Sequence, residues 1–322
     1  MSSSSVAAHT PGLSIHLGNY TADLTEDWQA MFDKAQAADR AGIDRVGVSE
    51  HVVFGENLEA YGRAELGGTE GGKQPTGPDG TWLDPLTVLT MVAAQTKHVR
   101  LQTGILVAAL RRPVVLAKTA ATIDVLSGGR LDLGVGVGWQ REEYEAAGLD
   151  FDGRGKLLDH TLAVCQTLWR DMTAHYEDPY LHFESIHMMP KPLQPGGVPI
   201  WVSGTLNARV LQRIVRFGSG WVPWGPDARE LKTSLGRVHE ALAAAGRDVK
   251  SFQVPGNLPN VKDANGKFDL ARSVEAVPAL VDAGVTDFRI NLPIPAELNA
   301  AVDFLSEIVT AFRKTVGRPL DS

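Results

Sequence analysis

The chain has 322 residues, 43% of them hydrophobic and 21% charged, with a formal net charge of −7. That balance suits a globular protein with a large core and no basic face, which argues against nucleic acid or an anionic membrane as partner. A single cysteine, Cys165, excludes an internal disulfide and fits a reducing, cytoplasmic setting.

Residues 1–10 are small and polar, with no basic start and no apolar stretch of a secretion signal. They are expected to be a disordered lead to one domain over 11–322. No apolar run is long enough to span a bilayer. After the lead, short apolar strands alternate with amphipathic helices. A strand over 13–17 precedes a helix over 28–41, where Met31, Phe32, Ala35 and Ala38 share a face and Gly42 marks the stop. Strand two covers 45–48. The helix over 85–96 begins with a proline behind Asp84, a natural cap. Strand three covers 100–104, followed by a second Pro-led helix over 113–126. Strand four covers 130–138. Cys165 falls on the apolar face of the next helix, 154–169, and reads as a small core residue. Strands five to eight cover 200–202, 220–222, 252–255 and 287–291. Their helices cover 207–217, 226–245, 271–283 and 296–316.

Eight such units in succession predict an α/β fold, the (β/α)₈ TIM barrel. A doubly wound sheet is disfavoured, because the first strand-to-helix turn, 18–27, lacks the phosphate-binding glycine fingerprint. Two insertions break the rhythm. Residues 55–84, after strand two, form a long glycine-rich polar stretch of the kind that serves as a lid. Residues 174–199, before strand five, read as a β-hairpin or extended excursion.

Strand four carries the strongest local pattern. Leu131, Leu133, Val135 and Val137 alternate with Asp132, Gly134, Gly136 and Gly138, so beyond Asp132 one face has no side chains. Such a face either receives a planar ring or marks a crowded barrel corner. In a barrel the active site gathers at the C-terminal strand ends. There, Ser49-Glu50-His51 offers His51 as an acid–base group, with Glu50 to orient it; the other reading is a solvated loop histidine. His16 reads as a satisfied core histidine. Ser203-Gly204-Thr205, between a strand and a helix, is either an anion cradle assisted by Arg209 or a plain cap by Thr205 or Asn207. Trp82, Trp139 and Trp224 fall at loop ends where they could wall a pocket. His182 and His187 lack metal-ligand spacing, and no metal is expected.

The run VVLAKTAATIDVLSGGRLDLGVGVGWQREEYEAAGLDF, with SEHVVFG, PIWVSG and RFGSGWVPW, resembles the bacterial-luciferase-like superfamily over nearly the whole chain. It looks most like the branch that uses the deazaflavin coenzyme F420. The resemblance implies an F420-dependent oxidoreductase; the alternative is an FMN-dependent monooxygenase fed by a separate flavin reductase. It implies a homodimer acting on a small organic substrate. Glu50 and His51 would touch the deazaflavin and the reaction centre, although the family commonly has Asp at the first position. A cis non-prolyl bulge behind the ring would fall at Gly104-Ile105. The segment Gly136, Val137, Gly138, Trp139 and Gln140 would line the ring, and Ser203, Gly204 and Thr205 would hold the cofactor phosphate. Relatives that act on a sugar phosphate carry a carboxylate where Val137 stands, which puts that substrate in doubt.

Overall fold

The computed structural model describes residues 10–24, 27–66 and 68–319. All but the last residue of the expected lead lies outside the described residues. In chain order the strands are β1 (Gly12–His16), β2 (Tyr20–Thr21), β3 (Arg45–Val48), β4 (Thr81–Trp82), β5 (Arg100–Leu106) and β6 (Leu131–Val135). Then come β7 (Ala174–Glu177), β8 (His182–Ile186), β9 (Ile200–Gly204), β10 (Gly218–Pro223), β11 (Pro255–Asn257) and β12 (Asp287–Ile290). Eight of them form one parallel sheet in the order β10-β9-β6-β5-β3-β1-β12-β11. The two ends of that sheet meet. Gly220 bridges Gln253 in parallel, and Trp221 N–H donates to Gln253 O at 2.9 Å. The sheet therefore curls into a barrel with helices outside it, the (β/α)₈ architecture expected.

Local chemistry sets the helix ends. The Asp84 carboxylate accepts Thr87 N–H at 2.8 Å and starts the helix Pro85–Gln95. Gly42, at a left-handed φ of 81°, stops the helix Gln29–Ala41. Two expected helices are interrupted. The first is divided into Pro226–Arg229 and Leu231–Ala244. The second is divided into Leu270–Glu275 and Val277–Asp282, where Pro278 has no N–H to continue the ladder. Strand seven forms later than its apolar residues, because Phe252 and Val254 are buried in the core ahead of β11. Strand four ends at Val135 instead of 138, and a short helix not expected from sequence, Arg141–Ala146, follows it.

Both excursions carry secondary structure among their described residues. Residues 55–84 carry 3₁₀ turns at Leu58–Gly62 and Ala64–Leu66 and end in β4, which pairs antiparallel with β2. β7 and β8 form the hairpin, held to the helix Arg154–Arg170 where His160 Nδ1 lies 2.5 Å from Asp178 Oδ2.

The N-terminal ends of the strands carry a buried layer of charge that floors the barrel. Arg45 pairs with Asp287 and, at 3.2 Å, with Asp132. Arg100 Nη2 reaches Asp132 Oδ1 at 2.6 Å, and Ser14 Oγ donates to Asp287 Oδ1 at 2.5 Å. The Arg45 guanidinium also lies 4.5 Å from the centre of the Trp201 ring. Buried charges persist only when partnered in this way.

Candidate active site

A cavity of about 410 Å³ lies over the opposite, C-terminal strand ends. His51 enters it from the turn after β3. Asn19 shapes that turn, donating to Ser49 O at 2.8 Å and accepting Ser49 N–H at 2.9 Å. The imidazole packs among Phe54, Trp82 and Trp139, with ring centres 4.3, 4.8 and 5.5 Å away. Its Nδ1 lies 3.3 Å from Glu143 Oε1, and the Glu143 carboxylate is wholly buried. The same oxygen accepts Val52 N–H at 2.8 Å. No partner for His51 Nε2 is found among the described residues.

Glu50 lines the cavity but does not orient His51. Its carboxylate accepts Val107 N–H at 2.6 Å and Arg111 Nη2–H at 2.5 Å, and Arg111 also reaches Asp84 at 2.7 Å. Burial pushes the Glu50 carboxyl above its ordinary range, against the opposing pull of Arg111 and the Val107 amide. The place expected for Glu50 beside the imidazole is held by Glu143. The sequence does not single it out, because Glu143 follows the strand expected over 130–138 and no helix is expected there. A helical turn beginning at Arg141 is what aims Glu143 inward.

The bare face of strand four is a corner at one end and cavity wall at the other. A Cβ on Gly134 would lie 2.0 Å from Thr103 O, so that glycine answers backbone crowding, the second of the two readings. A Cβ on Gly136 would meet chiefly the tip of Ile105, at 2.8 Å, and Gly138 has a φ of 69°. Gly136, Val137, Gly138 and Trp139 line the cavity, as do Gly104 and Ile105, whose shared peptide bond is cis. Gln140 does not line it. Its buried side-chain amide donates to Val53 O at 3.2 Å and accepts Gly55 N–H at 3.1 Å, pinning the loop beyond His51. The helix that starts directly after it turns the side chain away from the wall.

Ser203, Gly204 and Thr205 also line the cavity, on the strand next to β6: a Cβ on Gly136 would lie 3.7 Å from Ser203 Cβ, and β9 finishes with Gly204 at a φ of 142°. Asn207, not Thr205, caps the next helix, accepting Arg209 and Val210 N–H at 3.0 Å each. Arg209 is exposed and outside the cavity. The cations that do line it are Arg154, Arg213 and Arg289. Arg154 sits 3.8 Å from the Phe151 ring centre, and its buried Nε has no hydrogen-bond partner. Arg154 and Arg213 sit on helices at ordinary amphipathic spacing and Arg289 within β12, so nothing in the sequence sets them apart.

Trp82, Trp139 and Trp224 all stand in the cavity wall. His16 does not. Gly18 N–H donates to its Nδ1 at 3.0 Å and its Nε2 lies 2.8 Å from Ser49 Oγ, so it is a satisfied histidine, pushed down to about 4 chiefly by burial, with Arg289 and Lys34 adding. Cys165 is fully buried, which pushes its thiol up and away from reactivity. Among the described residues no helix is long and apolar enough to cross a membrane.

Residues 4–263 match the profile of the luciferase-like monooxygenase family. An uncharacterized protein of Mycobacterium tuberculosis is 32% identical over 215 residues, 66% of this chain and 70% of that one. The oxygenase component of a flavin-dependent trigonelline monooxygenase from Acinetobacter baylyi is 28% identical over 195 residues, 59% of this chain and 48% of its own. Among solved structures, an F420-dependent secondary alcohol dehydrogenase in complex with an F420–acetone adduct superposes with a TM-score of 0.69. It is 17% identical, covering 94% of this chain and 99% of its own, a likeness of fold.

Proposed function

The chain belongs to the luciferase-like monooxygenase family, and on that premise we propose that it is an oxidoreductase that binds coenzyme F420 and exchanges a hydride with an organic substrate. The observation that carries the reading is what one cavity brings together. Its lining joins the wall of residues 136–139, the Gly104-Ile105 peptide and an aromatic enclosure around His51. The same lining holds the hydroxyls of Ser203 and Thr205 and three arginines, among them Arg154 with its buried, partnerless Nε, a donor set suited to a phosphate. The size of the cavity is that of a small-molecule site. When bound, a deazaflavin supplies a two-electron hydride donor or acceptor.

The chain's own residues would do the rest. Gly104, Ile105 and Gly136–Trp139 would hold one face of a planar ring. Ser203, Gly204 and Thr205, with Arg154 and Arg213, would fix the charged tail. Phe54, Trp82 and Trp139 would exclude water around the imidazole, and His51 Nε2 would hold or move the proton that accompanies the hydride. Support for F420 over FMN comes from the acidic residue and histidine together after β3, within SEHVVFG. An FMN-dependent monooxygenase is the second reading, favoured by the flavin-dependent Acinetobacter relative. The reading includes a homodimer, which light scattering would test.

Titration of the purified protein with F420 and with FMN decides between the two. Tight F420 binding and at least about tenfold weaker FMN binding is expected; the reverse order overturns the F420 reading. His51→Ala is then expected to lower kcat about 10²- to 10⁴-fold while leaving cofactor affinity in place.

A further inference from the structure

Two cavities share a wall. Beside the first lies a second, of about 390 Å³, and Glu50, His51, Trp82 and Glu143 belong to the walls of both. Val52, Val53, Ala146 and Ala147, all exposed, form the rim of this outer cavity. Its charged groups are Glu50, Asp84 and Glu143 against Arg111 alone, which already bonds Glu50 and Asp84. Such a lining repels anions and is compatible with protons in transit.

The pair between the cavities is incompletely bonded. Both His51 Nδ1 and Glu143 Oε2 are buried atoms with no hydrogen-bond partner, although Nδ1 lies within ion-pair reach of Oε1. Burying a carboxylate with one oxygen unbonded is costly and calls for a reason. Position supplies one: the carboxylate lies against the buried Nδ1 and also lines a chamber that opens to solvent.

We propose that Glu143 is the positioning residue for His51 and passes its proton to solvent through the outer cavity. The proposal rests on the reading of His51 as the proton-handling group. In the direction that frees a proton, Nε2 takes it from the substrate hydroxyl and the ring becomes imidazolium, stabilised by the Glu143 carboxylate. The Nδ1 proton passes to Glu143, and the carboxyl releases it to water in the outer cavity. One proton leaves the substrate and one enters solvent. The carboxylate is restored, and the ring regains its Nδ1–H tautomer by exchange with water once the product has left.

The test uses the cofactor-free protein with ¹⁵N-labelled histidine. In the wild type His51 is expected as the Nδ1–H tautomer, directed by the carboxylate. Glu143→Ala is expected to lose that preference. Glu143→Gln keeps an acceptor oxygen but cannot carry the proton, so exchange of the Nδ1 proton with water should slow about tenfold or more. Ala147→Trp, an exposed rim position that leaves the pair untouched, should slow exchange similarly by plugging the chamber. An unchanged tautomer in E143A, or an exchange rate unchanged in either E143Q or A147W, overturns the proposal. None of these readouts needs F420 or FMN, so a failed cofactor titration and a failed proton path are told apart.

Discussion

The two ends of the barrel treat buried polar groups differently. At the floor, Arg45, Arg100, Asp132, Asp287, Ser14 and Gln253 join one network in which the carboxylates and guanidinium groups bond each other, although the neighbouring Trp201 Nε1 is unpartnered. At the mouth, Glu50, Arg111 and Asp84 bond each other, but His51 Nδ1, Glu143 Oε2, Gln102 Nε2 and Arg154 Nε are buried with no hydrogen-bond partner. Satisfied charge holds a fold in one arrangement; unsatisfied polar atoms raise the energy of the site and await something that bonds them. The floor reads as structure and the mouth as chemistry, and each contrast below is a way to test that division.

The largest effect is expected at the floor. Asp287→Ala strips Arg45 of one pairing carboxylate and leaves a wholly buried guanidinium held by Asp132 and Gln253. Breaking one partner of a buried pair costs about 3–5 kcal/mol. Urea unfolding should show a loss of that order, with cofactor affinity unchanged in whatever fraction stays folded. A loss near zero would erase the distinction between the two ends.

His16 brings the same contrast to pH. It ends β1 and props Ser49, whose hydroxyl donates to Gly104 O at 3.1 Å, so its neutral form is built into the wall behind Ile105. The folded pKa is depressed from 6.5 to about 4, which means the unfolded chain binds the extra proton first. Stability from this group is therefore fully present above about 6.5 and falls as pH drops towards 4, by about 3 kcal/mol in all. His16→Gln should flatten the unfolding midpoint between those two pH values. A wild-type midpoint level across that window would contradict the assignment.

How much of this was legible beforehand follows the distance over which each feature is encoded. The barrel was readable because alternation, Pro-led helices and stop glycines are local. His51 was readable because a strand end and a titratable side chain suffice to mark it. The partner of Glu50 was not: Arg111 comes from 61 residues away, and only the curl of β5 beside β3 brings them together. Glu143, Arg154 and Arg213 were hidden for a related reason. A helix pattern says which residues share a face, but the phase at which that face meets the cavity is set by packing.

Gly134 in β6 and Gly136 just past its end separate crowding from function. Gly134→Ala forces a methyl onto Thr103 O at 2.0 Å, where backbone would have to yield, and should cost about 1–3 kcal/mol of stability. Gly136→Ala meets the flexible tip of Ile105 and should cost less stability, while narrowing the wall proposed to hold the ring and weakening cofactor affinity. If both variants bind cofactor like the wild type, the wall at 136–138 has no part in binding.

The smallest expected effect has the opposite sign and is for that reason the sharpest. Gln102 sits buried on β5 at the base of the mouth, and its amide nitrogen bonds nothing. If that unpaired donor is kept for a ligand, the fold alone gains nothing from it. Gln102→Met, close in volume and free of polar atoms, should then leave the cofactor-free protein as stable as the wild type or up to about 1 kcal/mol more stable. The same variant should lose part of the stabilisation that added cofactor gives, since the donor it lacks is one the ligand would have bonded. Thermal unfolding with and without cofactor reads both. A destabilised cofactor-free variant would mean that Gln102 belongs with the floor, as structure, and that an unpaired buried atom at this end does not mark a ligand's place.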